Sequence, residues 1–456
     1  MAEIVTARIG SREWSSGLEP GQAATMRKVL FRLLPFLCFL YLIAYLDRVN
    51  IGFAALGMNA DLGLSAAAYG AGASFFFVGY LLFEVPSNFV MVKVGARRWI
   101  ARIMVTWGII AMSMAFVVGP RSLYTVRFLL GVAEAGFFPA VIYYLSHWFP
   151  KSYRGRVIGL FMVASPASSL IGAPISTALL DYSHGLLGFS GWQWMFLAEG
   201  LPAILFGFVC LFYLTERPRD AKWLEPAEAA WLQDYLDRER TEVENVRRYH
   251  FREVFIDRRV VLLAIVLLML VSGSYGTGFW MPQIIKTFTT SNMVVGWTTC
   301  AIYLVTVIAM ISWTRFSDAL GKRVGPVAIG AAFAACGLFI CMATMNHPYL
   351  AILGFVIANV GINSAIPVLW TIPTYFLTGT AAAVAIALIN SVAQFAGIFG
   401  PWLIGVSKDV TGGFELALGA LGMCLVVACV VILTFGHLSK ILGQTSSATS
   451  TSGSAS

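Results

Sequence analysis

Twelve stretches of about twenty mostly apolar residues recur along the chain, and each is long enough to cross a bilayer as a helix. They lie near 31–56, 67–91, 99–118, 122–145, 156–180 and 193–214, then near 260–285, 292–314, 325–345, 349–375, 380–405 and 414–436. We number them spans 1 to 12. One polar stretch, 215–259, is much longer than the other breaks and divides the spans six and six. It holds ten Lys/Arg and eleven Asp/Glu. Within it, Pro226 suits a first helical turn, and Trp231, Leu232, Tyr235 and Leu236 form one apolar stripe. The spacing predicts an amphipathic helix lying against the face of the protein. The pattern as a whole predicts an all-α membrane protein with twelve transmembrane helices. Its parts are a tail over 1–30, a six-helix bundle over 31–214, a connection over 215–259, a second bundle over 260–436 and a disordered tail over 437–456.

Composition narrows the class. Of 456 residues, 58% are hydrophobic and 12% are charged, and the mean hydropathy is +0.78. Soluble domains carry about a quarter charged residues, so a soluble enzyme, a nucleic-acid binder and a secreted domain are excluded. The net charge of +8 is a topology signal. Lys and Arg crowd the first tail, the 2–3, 4–5 and 8–9 breaks and the central connection. The opposite side has Arg121, Lys286 and Lys408. The excess of positive charge predicts that both termini and the connection are cytoplasmic. The seven cysteines all sit in apolar runs, without metal-ligand spacing. No metal site, cofactor or nucleic-acid partner is expected. The absence of HExxH, GxSxG and GxxxxGK[ST] patterns argues against an enzyme.

The two halves share a local pattern. Lys93-Val-Gly95-Ala-Arg97-Arg98 follows span 2, and Asp318-Ala-Leu-Gly321-Lys322-Arg323 follows span 8. Each places a glycine and a basic pair at a tight turn, which suggests duplication and pseudo-symmetric bundles. An acid such as Asp318 can hydrogen-bond a helix N-terminus across the interface.

Ionisable residues inside spans are functional candidates, because each costs several kcal/mol to bury. They are Asp47 and Arg48 on span 1, Glu84 on span 2 and Arg127 and Glu134 on span 4. Glu199 lies nearer the start of span 6, and the second half has none at depth. At 1.5 Å per residue, Arg48 lies about 24 Å in from one side and Glu134 about 18 Å in from the other. Tyr41, Tyr45 and Arg48 share one helical face, and Arg127 and Glu134 share another. A buried arginine is a forked cation that matches a carboxylate, and buried carboxylates can take up protons near neutral pH. Together they suggest an anion site beside a proton relay. A static ion pair between Arg48 and Glu134 is the bland alternative. Arg127, Glu84, Glu199, Asp318, Lys322 and Arg323 are read as structural or gating groups, with Glu84 bracing the 2–3 turn. The second half offers neutral groups: Asn359, Asn363, Trp370, Asn390, Gln394, Tyr275 and Trp280. Gly276, Gly278, Pro282, Pro367 and Pro373 predict breaks in spans 7 and 10 that suit gating.

These residues resemble the major facilitator superfamily, and within it the anion:cation symporter group, over about 30–440. The resemblance rests on Tyr45-Leu-Asp47-Arg48-Val-Asn50, Glu84-Val-Pro-Ser-Asn88, Arg127-Phe-Leu-Leu-Gly131-Val-Ala-Glu134, Trp148-Phe-Pro150, Arg154-Gly-Arg156, Glu199-Gly-Leu-Pro202, Trp370-Thr-Ile-Pro373 and Asn390-Ser391. The nearest branch in pattern is the bacterial tartrate, sugar-acid and phthalate permeases. It implies proton-driven uptake of an organic carboxylate across the bacterial inner membrane by a monomer, the gradient taking the place of any cofactor. It implies that Arg48 anchors the carboxylate and that Asp47 and Glu134 handle protons. Tyr41, Tyr45, Tyr80, Tyr275, Trp370, Asn390 and Gln394 would complete the substrate site. Val92 stands where the family's 2–3 turn carries Asp, and Gln394 stands where Asn is expected. Exchange of one anion for another, and a receptor without turnover, are the competing readings.

Overall fold

In lipid every backbone polar group must find its partner within the chain, and a helix does this segment by segment. The computed structural model describes residues 20–244, 257–373 and 379–452. Among them twelve helices are long and apolar enough to span a membrane: Gly21–Asp61, Ala66–Val94, Ala96–Phe116, Pro120–Ser146, Lys151–Tyr182, Gly191–Tyr213, Arg258–Lys286, Asn292–Leu320, Val324–Ala343, Pro348–Leu369, Ala385–Thr411 and Glu415–Leu438. These are spans 1 to 12. Residues 1–19 of the expected tail and 245–256 of the connection lie outside the described residues.

Helix packing repeats between the halves. Span 3 packs on span 6 as span 9 packs on span 12. Span 2 packs on span 4 as span 8 packs on span 10, and span 1 on span 5 as span 7 on span 11. The bundles meet where span 2 faces span 11, span 5 faces span 8 and span 1 faces span 7. This is the predicted pair of pseudo-symmetric bundles.

Both tails depart from expectation. The first helix begins at Pro20, so 20–30 is not tail, and Met26, Val29 and Leu30 are buried at helical spacing. The last helix runs Glu415–Ser452, so the tail expected to be disordered stays helical through Ser452. Once nucleated, a helix without an interrupting proline extends cheaply. The amphipathic helix forms over Pro226–Glu244. Its buried stripe is Ala229, Leu232 and Leu236, with Tyr235 exposed. Glu228 bonds Lys28 (2.6 Å) and Thr25 (3.2 Å), and Glu239 bonds Arg154 (3.1 Å), which ties this helix to the first bundle.

The helix breaks match expectation in one place only. Spans 7 and 10 are continuous through Pro282 and Pro367, but the span 10 helix ends at Leu369, just before Pro373. Span 4 instead splits into Pro120–Glu134 and Phe137–Ser146, around Gly136 at φ +89°. Span 5 splits into Lys151–Met162 and Ala164–Tyr182. A proline removes the partner of the carbonyl four residues back. Pro139 frees the Ala135 carbonyl, which accepts instead from the Ser87 hydroxyl (2.6 Å). Pro166 stands in the same relation to Met162.

The tight turns differ between the halves. Where Val92 lacks a carboxylate, Glu216 from beyond span 6 accepts from the Ala96 (2.7 Å) and Arg97 (3.1 Å) amides at the start of span 3. In the second half Asp318 pairs with Arg323 (2.7 Å) of its own turn, and the Lys322 carbonyl accepts from Ser317 (3.1 Å). Gly321, at φ +62°, folds that turn back on itself. Asp318 therefore pairs locally and not with a helix across the interface.

At the end of the molecule opposite the connection, the bundles are sealed. Asp409 of span 11 accepts from the Ala66 (3.0 Å) and Ala67 (2.8 Å) amides, capping span 2 across the interface. Asn292 donates to Asp181 (2.7 Å), and the Tyr69 hydroxyl donates to the Phe279 carbonyl (3.0 Å). A Cβ at Gly52 would lie 3.1 Å from that same carbonyl, so glycine permits the close approach of spans 1 and 7. Nearer the connection, Asn390 donates to Glu84 (3.4 Å).

Replacing Glu216 by Ala strips the span 3 cap and should cost ~1 kcal/mol, read as a lower unfolding midpoint of the purified protein; Glu216→Gln should recover part of it. Replacing Asp409 by Ala loses a charged hydrogen-bond pair, typically ~1.5 kcal/mol. Asn59 of span 1 meets Gln283 of span 7 at this end (3.5 Å), and the labelling rate of an Asn59→Cys probe in a cysteine-free background should then rise about tenfold. An unchanged rate would mean that Asp409 does not hold the sealed end.

Candidate functional site

Span 1 carries Arg48 toward the middle of the first bundle, and span 4 ends its first segment at Glu134. The two side chains form an ion pair. Glu134 is buried, and Arg48 is one-tenth exposed at its side chain. Gly131, one turn before Glu134, lets span 2 pack close beside the pair, because a Cβ there would run into the Phe76 carbonyl of span 2. That contact also delivers a ring. The Arg48 guanidinium carbon lies 5.2 Å from the centroid of Phe76, 5.4 Å from Tyr45 and 5.4 Å from Tyr80. Aromatic faces stabilise a cation without neutralising it, so Arg48 keeps its charge available for an anion. Arg48 Nε has no hydrogen-bond partner.

Phe76 carries a second cation. The Arg127 guanidinium lies 4.9 Å from its centroid, and Arg127 Nε donates to the Gly72 carbonyl (3.4 Å). Arg127 is fully buried, and neither of its terminal nitrogens has a partner.

Asp47 lies one position round the helix from Arg48. It is buried and meets Asn50, whose amide donates to Asp47 Oδ1 (3.4 Å) and to Glu199 Oε2 (3.0 Å). The Ser176 hydroxyl donates to Glu199 Oε1 (2.6 Å). Asn50 and Ser176 were not singled out from sequence. The spacing Asp47/Asn50, three apart on one face, was the signal that could have found Asn50. Phe76 carried no such signal, since a phenylalanine in an apolar span is ordinary.

The second bundle contributes neutral groups. The Tyr275 hydroxyl donates to Gln394 Oε1 (3.4 Å), and its ring packs on Phe77 of span 2 at 4.5 Å. Tyr275 thus reaches across the interface as expected. Asn390 instead bonds Glu84. Glu84 joins the bundles and does not brace the 2–3 turn; Ser87 does that, accepting from Trp99 (2.9 Å). Tyr41 stacks on Phe161 at 4.4 Å and meets Tyr45 edge-on at 5.5 Å, so it supports Tyr45 from behind. Trp370 is half-buried at the end of span 10 and packs against the apolar core. A small cavity lies between the bundles, lined by Tyr45, Ser165, Tyr275, Tyr303 and Asn363 among others. Ser165 and Tyr303 are additions from spans 5 and 8.

The chain matches the family model of the Major Facilitator Superfamily over residues 37–401. A protein of Agrobacterium vitis, provisionally named a tartrate transporter, is 47% identical over 94% of each chain. The Quinolone resistance transporter of Acinetobacter baumannii is 40% identical over 92% of this chain and 96% of its own. The inner membrane transport protein RhmT of Escherichia coli is 34% identical over 92% and 97%. Among solved structures, an inward-facing, unoccupied bacterial homologue of the human lysosomal transporter Spinster superposes with a TM-score of 0.71 at 16% identity, covering 92% and 98%. A D-xylose-proton symporter gives 0.70 at 16%, covering 89% and 97%. The repeated helix packing, the family match and the full-length relatives agree: this chain belongs to the Major Facilitator Superfamily and is a multi-pass membrane transporter, not an enzyme.

Proposed function

We propose that the protein is a proton-coupled symporter. It would bring an organic carboxylate, such as tartrate, a sugar acid or an aromatic acid, through the bacterial inner membrane by alternating access. The observation that carries this reading is the buried Arg48–Glu134 ion pair inside its aromatic cage. The tartrate name borne by a relative 47% identical supports the substrate class.

In the sealed state Glu134 occupies the fork of Arg48. Protonation of Glu134 removes its charge and weakens its hold on the guanidinium. A substrate carboxylate then takes its place, and Arg48 remains paired throughout. This exchange couples proton to anion, because neither a bare Arg48 nor an ionised Glu134 without its partner is tolerated at that depth. Tyr45 and Tyr80 border the anion, and Tyr41 backs Tyr45. Tyr275, Gln394, Asn390 and Trp370 offer hydrogen bonds from the second bundle. Breaking Asn390–Glu84 and the Asp409 cap in turn would open one end and then the other.

The membrane potential sets the stoichiometry. Moving one negative charge into a negative interior costs about 2.3 kcal/mol per 100 mV. One proton per monoanion cancels this, and a second turns the potential into a driving force. The distribution of Lys and Arg supports a cytoplasmic connection and cytoplasmic termini, which would make the sealed end the outer one. A single chain suffices for this cycle, driven by the gradient without a cofactor.

Glu134→Gln keeps the shape but cannot take up a proton. It should lose gradient-driven accumulation of a labelled carboxylate while retaining counterflow between preloaded vesicles and medium. If accumulation and its pH dependence survive, Glu134 is not the coupling group. Arg48→Lys removes the bidentate fork and should weaken substrate binding by at least about tenfold, ~1.5 kcal/mol, read as the half-saturation of counterflow.

A further inference from the structure

The interface site leaves one buried cluster unused. Asp47, Asn50, Ser176 and Glu199 meet where spans 1, 5 and 6 pack together inside the first bundle. Two carboxyl groups share a single amide: Asn50 donates to Asp47 at 3.4 Å and to Glu199 at 3.0 Å. The second Glu199 oxygen accepts from Ser176 (2.6 Å). Asp47 Oδ2 and Asn50 Oδ1 are buried and have no hydrogen-bond partner. Among the described residues no cation forms an ion pair with either acid. Arg48 is engaged by Glu134, and the hydrogen bond from Arg127 goes to the Gly72 carbonyl.

The charged groups that face Asp47 are Glu199 from span 6, Glu134 and Arg127 from span 4, and Arg48 beside it; span 3 presents the neutral Trp107. Facing Glu199 are the neutral Ser176 from span 5 and Asn50 from span 1. Two ionised carboxylates in such a place would repel each other in a medium of low dielectric. One amide can satisfy one oxygen on each acid but cannot neutralise either.

We infer that Asp47, Asn50 and Glu199 form one proton-holding unit, in which the two carboxyls keep a single proton between them and Glu199 sets how firmly Asp47 binds it. The inference rests on the proton-coupled reading and adds a residue to it. The proton forms an O–H bond on one carboxyl while the other stays ionised on the Asn50 amide, and release breaks that bond. Such a pair titrates as a unit. The unit holds a proton apart from the Arg48–Glu134 pair, a second one that makes the membrane potential favour uptake of a monoanion and balances the charge of a dianion. Glu199 acts through Asp47 and is a positioning residue.

The test uses the full chain in proteoliposomes, with the protonated-carboxyl band followed by infrared absorption as pH is varied and no substrate present. Glu134→Gln should leave the component of the unit present and displace it less than Glu199→Gln does, because Glu199 is the stronger neighbour of Asp47. Glu199→Gln removes the like charge beside Asp47 and should move that component to lower pH. Asn50→Leu removes the amide that stabilises the ionised acid and should move it to higher pH. Ser176→Ala should also move it to higher pH, and it serves if Glu199→Gln fails to fold. Shifts of opposite sign are not expected from a structural role. The inference is overturned if Glu199→Gln and Ser176→Ala both leave the Asp47 component unmoved. It is also overturned if sodium displaces the band at constant pH, since the unit would then hold a metal cation. Failure of the coupling reading looks different: the band would titrate as described, but labelled tartrate and other carboxylates would enter equally with and without a proton gradient.

Discussion

A charge pair buried between helices of a membrane bundle constrains everything around it. Arg48 and Glu134 must meet, since leaving either unpaired at that depth would cost several kcal/mol. Spans 1, 2 and 4 accordingly approach one another closely. Gly131 lets span 2 approach, and that approach sets Phe76 and Tyr80 on the guanidinium. Span 4 stops being helical one residue after Glu134, because Pro139 and Gly136 break it there. The acid therefore stands at a helix end whose freed carbonyl is held by Ser87.

The same constraint separates the labour of the two bundles. Among the described residues all the deeply buried charge lies in the first bundle, while the second supplies hydroxyls, amides and rings. The sealed end is held by directional contacts, above all the Asp409 carboxylate on the first amides of span 2. Such a cap adds the attraction of a carboxylate for a helix N-terminus to two hydrogen bonds. It can be broken as a unit when the bundles rock. Nearer the connection, Asn390–Glu84 is a longer bond. The difference fits a carrier at rest with one end firmly shut.

Much of this was legible in the sequence, for physical reasons. The twelve spans follow from the cost of an unsatisfied backbone in lipid, which makes long apolar runs unambiguous. The depth arithmetic put Arg48 and Glu134 at compatible heights, and they pair. Repeat symmetry was visible at Gly95 and Gly321. What failed depended on contacts between distant residues. Pro282 and Pro367 suggested breaks in spans 7 and 10, but the helices run through them, and further breaks fall in spans 4 and 5. Nothing near Val92 shows that Glu216, more than a hundred residues on, caps span 3. Asp318 had a partner nearer than the interface. Nothing on span 11 announces that Asn390 bonds Glu84 of span 2. Nor does the sequence show that Glu199 meets Asp47 through Asn50, on another helix.

Proton coupling is the central claim. The most direct measurement is uptake of a labelled panel of carboxylates into proteoliposomes, with and without an inward proton gradient. The account predicts that at least one acid accumulates above equilibrium only when the gradient is present, in vesicles with no internal anion. Movement that requires preloaded anion and ignores the gradient would contradict it. The Arg48–Glu134 pair would then be a fixed brace in an anion exchanger.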